Sequence, residues 1–177
     1  MPYPVRPSRR SREARLTMAT LTVIAVGGLR EDFFRRAADE YKKRLGASFT
    51  VREVEIKEEK ISASPSDAEI ANALDREAER ILAAVPKRAF TAALCVEGEE
   101  LSSGELSARI SGAMSGGVSS FCFIVGSSHG LSDKVKRSCA ARLSMSRMTF
   151  PHQLARVMLY EAIYRATEIM KGTGYHK

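Results

Sequence analysis

SSFCFIVGSSHGLS, residues 119–132, decides the fold class. Its first seven residues are apolar or small without a polar interruption, which suits a strand covered on both faces. Such strands occupy the middle of sheets whose neighbours run parallel, with helices packed above and below. GSSHGLS then leaves the strand as a loop of small residues.

Working outward, the same alternation repeats. LTVIAV (21–26) is a short apolar run that stops at Gly27-Gly28, and reads as a buried strand. EDFFRRAADEYKKRL (31–45) places Phe33, Phe34, Ala37, Tyr41 and Leu45 near one helical face, and Gly46 stops it. FTVREVEI (49–56) reads as a strand with one wetter face. After a charged, then Ser/Pro-rich loop, Ser66 and Glu69 make a capping box for the helix DAEIANALDREAERILAAV. AFTAALCV (89–96) is a further strand, leaving through EGEELSS, and Ser102 with Glu105 caps the helix through Met114. A short helix, DKVKRSCAA, follows the central strand. RLSMSRMTF is a weak strand or extended loop, and Pro151 introduces a long last helix. The pattern predicts a single α/β domain over 18–177, with a mainly parallel sheet flanked by helices.

The 177 residues suffice for one domain with a sizeable core, at 44% hydrophobic and 28% charged content. No run approaches the roughly 18 apolar residues of a membrane span, so no membrane partner is expected. Cys95, Cys122 and Cys139 form no metal or redox motif and read as inert thiols of a reduced, cytoplasmic protein. The net charge of +7 collects at the ends, with +4 in residues 1–17 and +4 in residues 142–177. Basic charge so placed suits a phosphate backbone. Residues 1–17, with three prolines and five arginines, read as a disordered basic leader. An upstream start, a targeting peptide and a nucleic-acid arm all fit that composition.

In open parallel sheets, ligands bind beyond the carboxyl ends of the strands. EGEELSS, GSSHGLS and SRMTFPH are the loops that fall there. None is a GxGxxG or GxxxxGK[ST] motif, which disfavours nicotinamide and nucleoside triphosphate enzymes. The histidines at 129, 152 and 176 lack metal-ligand spacing, and His152 at a helix start suits packing or capping. In the last helix Leu154, Val157, Met158, Glu161, Tyr164 and Arg165 share a broad face, with Arg156 off to one side. Leu159, Ile163 and Ala166 carry apolar surface further around the cylinder. A helix apolar on more than one side must bury against more than its own sheet, and dimerisation achieves that.

LSMSRMTFPHQLARVMLYEAIYRATEIMKGTGYHK at the end of the chain resembles the C-terminal signature of the RlmH family. These are large-subunit ribosomal RNA methyltransferases of the SPOUT, or α/β-knot, superfamily. LTVIAVGGLRE, LCVEGEELSS and IVGSSHGLSD match in order, so the resemblance covers 18–177. It implies a C-terminal trefoil knot, a homodimer, S-adenosyl-L-methionine (SAM) as cofactor, and the ribosome with its 23S rRNA as partner. The implied reaction methylates N3 of a pseudouridine in helix 69 on the assembled ribosome. Carried over by position, the SAM pocket takes Leu94, Gly98, Gly126, Ser127 and Gly130, with Met145, Ser146, Arg147, Met148, Thr149 and Phe150. Arg156, Arg165, Tyr175 and His176 are the expected catalytic residues, His176 as base or orienting group. Glu161 is expected to pair with an arginine. Two departures stand out. Ser127 replaces a second glycine, which strains the loop if that position needs φ > 0. His129 stands where an acidic or amide residue is common. A SPOUT enzyme acting on another RNA, such as a tRNA, and a non-catalytic ribosome-binding module are the alternatives.

Overall fold

β4, Ser120–Val125, lies at the centre of a five-stranded, all-parallel sheet of order β2-β1-β4-β3-β5. The other strands are β1 Ala19–Val26, β2 Phe49–Ile56, β3 Phe90–Glu100 and β5 Ala141–Ser144. The computed structural model describes residues 19–176. The basic leader and the side chain of His176 lie outside the described residues.

The uninterrupted apolar reading of β4 has a direct cause. Phe121, Phe123 and Val125 enter one core, while Cys122 and Ile124 enter another on the opposite face. The first core is closed by α1 (Asp32–Leu45), α3 (Ser103–Ser115) and α5 (His152–Lys171), the second by α2 (Asp67–Ala84) and α4 (Asp133–Ser138). Both expected capping boxes form, Ser66 with Glu69 and Ser102 with Glu105. Burial raises the Cys122 thiol to about 12, which makes it inert.

Three local expectations change. Phe33 is 58% exposed, because α1 buries the line through Ala38 and Leu45 and Phe33 sits roughly 130° around the helix from it. β3 does not end at Val96. It pairs with β4 through Ala93, shifts register between Leu94 and Glu99, and pairs again with β5 through Glu100. At that irregularity a Cβ on Gly98 would lie 2.4 Å from the Leu143 carbonyl carbon, so glycine is what lets the two backbones cross.

The third change concerns β2, which has no single wetter face: its apolar residues divide between the two. Phe49 and Val51 pack in the α5 core, Val54 and Ile56 in the other. Glu53 and Glu55 therefore continue the face that α5 covers. Arg156 meets them, 2% exposed, with Nη2 2.8 Å from Glu53 Oε1 and 2.6 Å from Glu55 Oε1. Its Nη1 donates to the Gly27 carbonyl at 3.2 Å. The Tyr160 hydroxyl donates to Glu53, and Lys42 lies 3.2 Å from the same carboxylate. Gln153 Oε1 accepts from the Arg30 amide at 2.7 Å. The first two turns of α5 are thus bolted to the edge of the sheet and to the loop after β1.

Candidate functional site

The carboxyl ends of β3, β4 and β5 open into a cavity of about 390 Å³. Three chain segments wall it: 94–97 from β3, 125–131 after β4, and 144–150 between β5 and α5. Lys136, His152 and Ala155 complete the wall. Two of the loops expected from the sequence, GSSHGLS and SRMTFPH, reach this edge of the parallel sheet, whereas EGEELSS contributes only Glu97 because β3 runs on to Glu100.

The loop after β4 is the tightest. Gly130 has φ of +83° and its amide donates to the Ser127 carbonyl at 2.9 Å. A Cβ on Gly126 would fall 2.2 Å from the Gly130 carbonyl oxygen, so the turn closes only over glycine. Ser127 is buried, and Arg88 is the one non-glycine residue with positive φ among the described residues. The serine therefore sits in ordinary backbone, without the strain that a left-handed position would impose. Ser128 Oγ lies 3.2 Å from His129 Nδ1, at the mouth. In the third loop, Ser144 Oγ donates to the Ser146 carbonyl at 2.9 Å, and Ser146 Oγ accepts from the Met148 amide at 3.0 Å. Those bonds shape the turn that presents Met148, Thr149 and Phe150 to the cavity.

Most expected pocket residues line this cavity: Leu94, Gly126, Ser127, Gly130, Met145, Ser146, Met148, Thr149 and Phe150. Gly98 and Arg147 do not. Gly98 is committed to the backbone crossing with β5, and Arg147 is exposed outside the wall. His152 is on the wall as well as at the helix start. The sequence reading also passed over Glu97 and Lys136, the two charged residues of the lining, which face each other at 2.5 Å. The signal for Glu97 was its place just past an apolar strand run.

The expected catalytic residues separate. Arg156 is consumed by Glu53, Glu55 and Gly27 and does not reach the cavity, so it is a structural brace. Its face of the helix is the buried one. Arg165 pairs with Glu161, as anticipated, through Nη2 at 2.6 Å and Nε at 2.9 Å. Its guanidinium lies 4.9 Å from the centre of the Tyr175 ring, which packs edge-on against Tyr164 at 4.8 Å. A short 3-10 turn, Gly174–His176, thus docks the tail onto α5. Arg165 lies ten residues beyond Ala155, roughly 15 Å along the helix axis, and neither it nor Tyr175 lines the cavity.

Among the described residues no helix is long and apolar enough to cross a membrane. In fold, the chain is similar to a probable methyltransferase from Bordetella pertussis Tohama I, at 14% identity and a TM-score of 0.54, covering 89% of this chain and 99% of that one. It also matches the SpoU methyltransferase AviRb from Streptomyces viridochromogenes, solved in complex with the cofactor AdoMet. That match has 13% identity and a TM-score of 0.42, and covers 86% of this chain and 60% of AviRb. A family model described as a predicted SPOUT methyltransferase matches residues 19–176, and the protein belongs to that family.

Proposed function

We propose that this protein is a SAM-dependent RNA methyltransferase of the RlmH type. It acts as a knotted homodimer on N3 of a pseudouridine in helix 69 of the 23S rRNA, on assembled ribosomes in the cytoplasm. The observation that carries the reading is the cavity at the carboxyl ends of β3, β4 and β5, walled mainly by small and apolar residues from β3 and two loops.

That wall fits SAM. Its volume lies within the range of small-molecule pockets, and Leu94, Val125, Leu131 and Phe150 offer apolar surface for an adenine. The tight 126–130 loop supplies backbone donors and acceptors at close approach. When bound, SAM supplies an activated methyl group on its sulfonium. The protein's remaining tasks are to align the uracil-type ring, to stabilise the anion that develops as the N3 proton leaves, and to give that proton a path.

Arg165 and Tyr175 suit the second task by chemistry, yet they stand far from the cavity of their own chain. A second copy resolves this. Leu154, Met158 and Ile169 lie on the side of α5 opposite its buried face, and all are only half-buried. Pairing two such faces covers them and carries Arg165, Tyr175 and His176 of one subunit toward the pocket of the other. Within the subunit, Glu161 holds the Arg165 guanidinium, so the charge is oriented in advance.

The test is methyl transfer from labelled SAM to ribosomes lacking the modification. Label in the helix 69 pseudouridine supports the reading; label only in tRNA or free RNA contradicts the substrate. Arg165→Ala is expected to lower kcat by about 100-fold, in line with the loss of one donor to a developing anion, while the SAM dissociation constant stays unchanged.

A further inference from the structure

One pair of opposite charges lines the cavity. Glu97 comes from the far end of β3 and Lys136 from α4, and both line the cavity. The Lys136 ammonium lies 2.5 Å from Glu97 Oε1, and 3.8 Å from Asp133 Oδ1 on its own helix. Apart from two imidazoles, every other described residue of the lining is uncharged.

The placement is costly for a mere surface tie. Lys136 is 18% exposed, on a wall it shares with Leu94 and Leu131, so its side chain gives up part of its hydration. The hydrogen bond from Lys136 holds the Glu97 carboxyl below the usual carboxylate range, so Glu97 is charged at neutral pH. Glu97 stays 46% exposed at the rim, leaving acceptor positions open to a ligand. A pocket with one anion and one cation side by side is complementary to a zwitterion, and SAM has one at its amino-acid end.

We propose that Glu97 and Lys136 form the subsite for the amino-acid end of SAM, with Lys136 meeting the α-carboxylate and Glu97 the α-ammonium. This rests on the SAM reading of the cavity and assigns two residues to a defined part of the ligand. The adenosine then lies against the apolar wall, and the charged pair fixes which way the ligand enters.

Two ligands isolate the subsite. S-adenosylhomocysteine and 5′-methylthioadenosine share the adenosine and the thioether, and only the first has the amino-acid group. Calorimetry on the full chain compares wild type, Glu97→Gln and Lys136→Gln with each ligand, melting temperatures being recorded alongside. In the wild type, S-adenosylhomocysteine is expected to bind more tightly than methylthioadenosine. Each substitution is expected to weaken S-adenosylhomocysteine about tenfold, the scale of one lost charge-assisted hydrogen bond, and to leave methylthioadenosine within about twofold. Should Lys136→Gln not fold, the near-isosteric Glu97→Gln decides alone. Equal weakening of both ligands overturns the subsite and makes the pair a brace between β3 and α4. Unchanged affinity for both overturns it as well. A folded wild type that binds neither ligand overturns the SAM reading itself.

Discussion

Arg156→Met is expected to lower the melting temperature by about 10 °C and to leave any surviving folded protein able to bind its cofactor. Arg156 is 2% exposed and donates to Glu53 and Glu55 on β2 and to the Gly27 carbonyl after β1. Removing one member of a buried ionic cluster strands the others, here Glu53 above all, at roughly 3–5 kcal/mol. For a chain of this size each kcal/mol moves the midpoint by about 2–4 °C. Acid supplies an independent check. Burial favours the protonated Glu53 carboxyl, but hydrogen bonds from Arg156 and Tyr160 outweigh it and hold the group below its ordinary value of 4.5. The folded chain then takes up this proton less readily than the unfolded one. Its stabilisation is complete above about pH 4.5 and fades as the pH falls through the lower folded value. The gap in stability between wild type and Arg156→Met must narrow over that range. An unchanged melting temperature with lost turnover would return Arg156 to the chemistry.

Gly126→Ala carries the second large effect. A methyl group at this position would overlap the Gly130 carbonyl oxygen, with the Cβ 2.2 Å from it, and the obstacle is backbone rather than a side chain that can swing aside. The turn must open, which moves the loop that forms one wall of the cavity. Overpacking of this kind costs about 1–3 kcal/mol of stability. The expected loss in SAM affinity is of order a hundredfold, equivalent to about 2.7 kcal/mol. Calorimetry on the folded variant measures it directly. Ser127→Gly, one residue on, is expected to change affinity by no more than about twofold, since Ser127 already sits in backbone open to any residue. Normal binding by Gly126→Ala would place the cofactor elsewhere.

These two neighbours mark what the sequence makes legible and what it leaves hidden. The apolar run 119–125, the capping boxes at Ser66 and Ser102, and Pro151 before the last helix are local signals, and each produced the element it predicted. Two of the pocket loops, GSSHGLS and SRMTFPH, were legible because a parallel sheet sends the ends of its strands to one edge. Long-range pairing was not legible. Nothing in FTVREVEI announces that Glu53 and Glu55 meet an arginine about a hundred residues later, because that contact depends on which helix covers an edge strand. Arg156 looked available for chemistry for that reason. Gly98 was misplaced by a register shift that only the β3–β5 pairing reveals. Arg165 and Tyr175 illustrate a further limit. Their own chain docks them on α5, and the approach to a pocket proposed for them would depend on how a second copy packs.

Mixing two inactive variants tests the central claim most directly. Gly126→Ala impairs the cavity and retains Arg165 and Tyr175; Arg165→Ala retains the cavity and lacks the donor. If each site is built from the cavity of one subunit and the tail of the other, a mixed dimer restores one of its two sites. After exchange of equal amounts, methyl transfer to ribosomes should recover to about a quarter of the wild-type rate. Mixtures that stay as inactive as their components at every ratio, while the wild type methylates, would contradict a site shared between two copies.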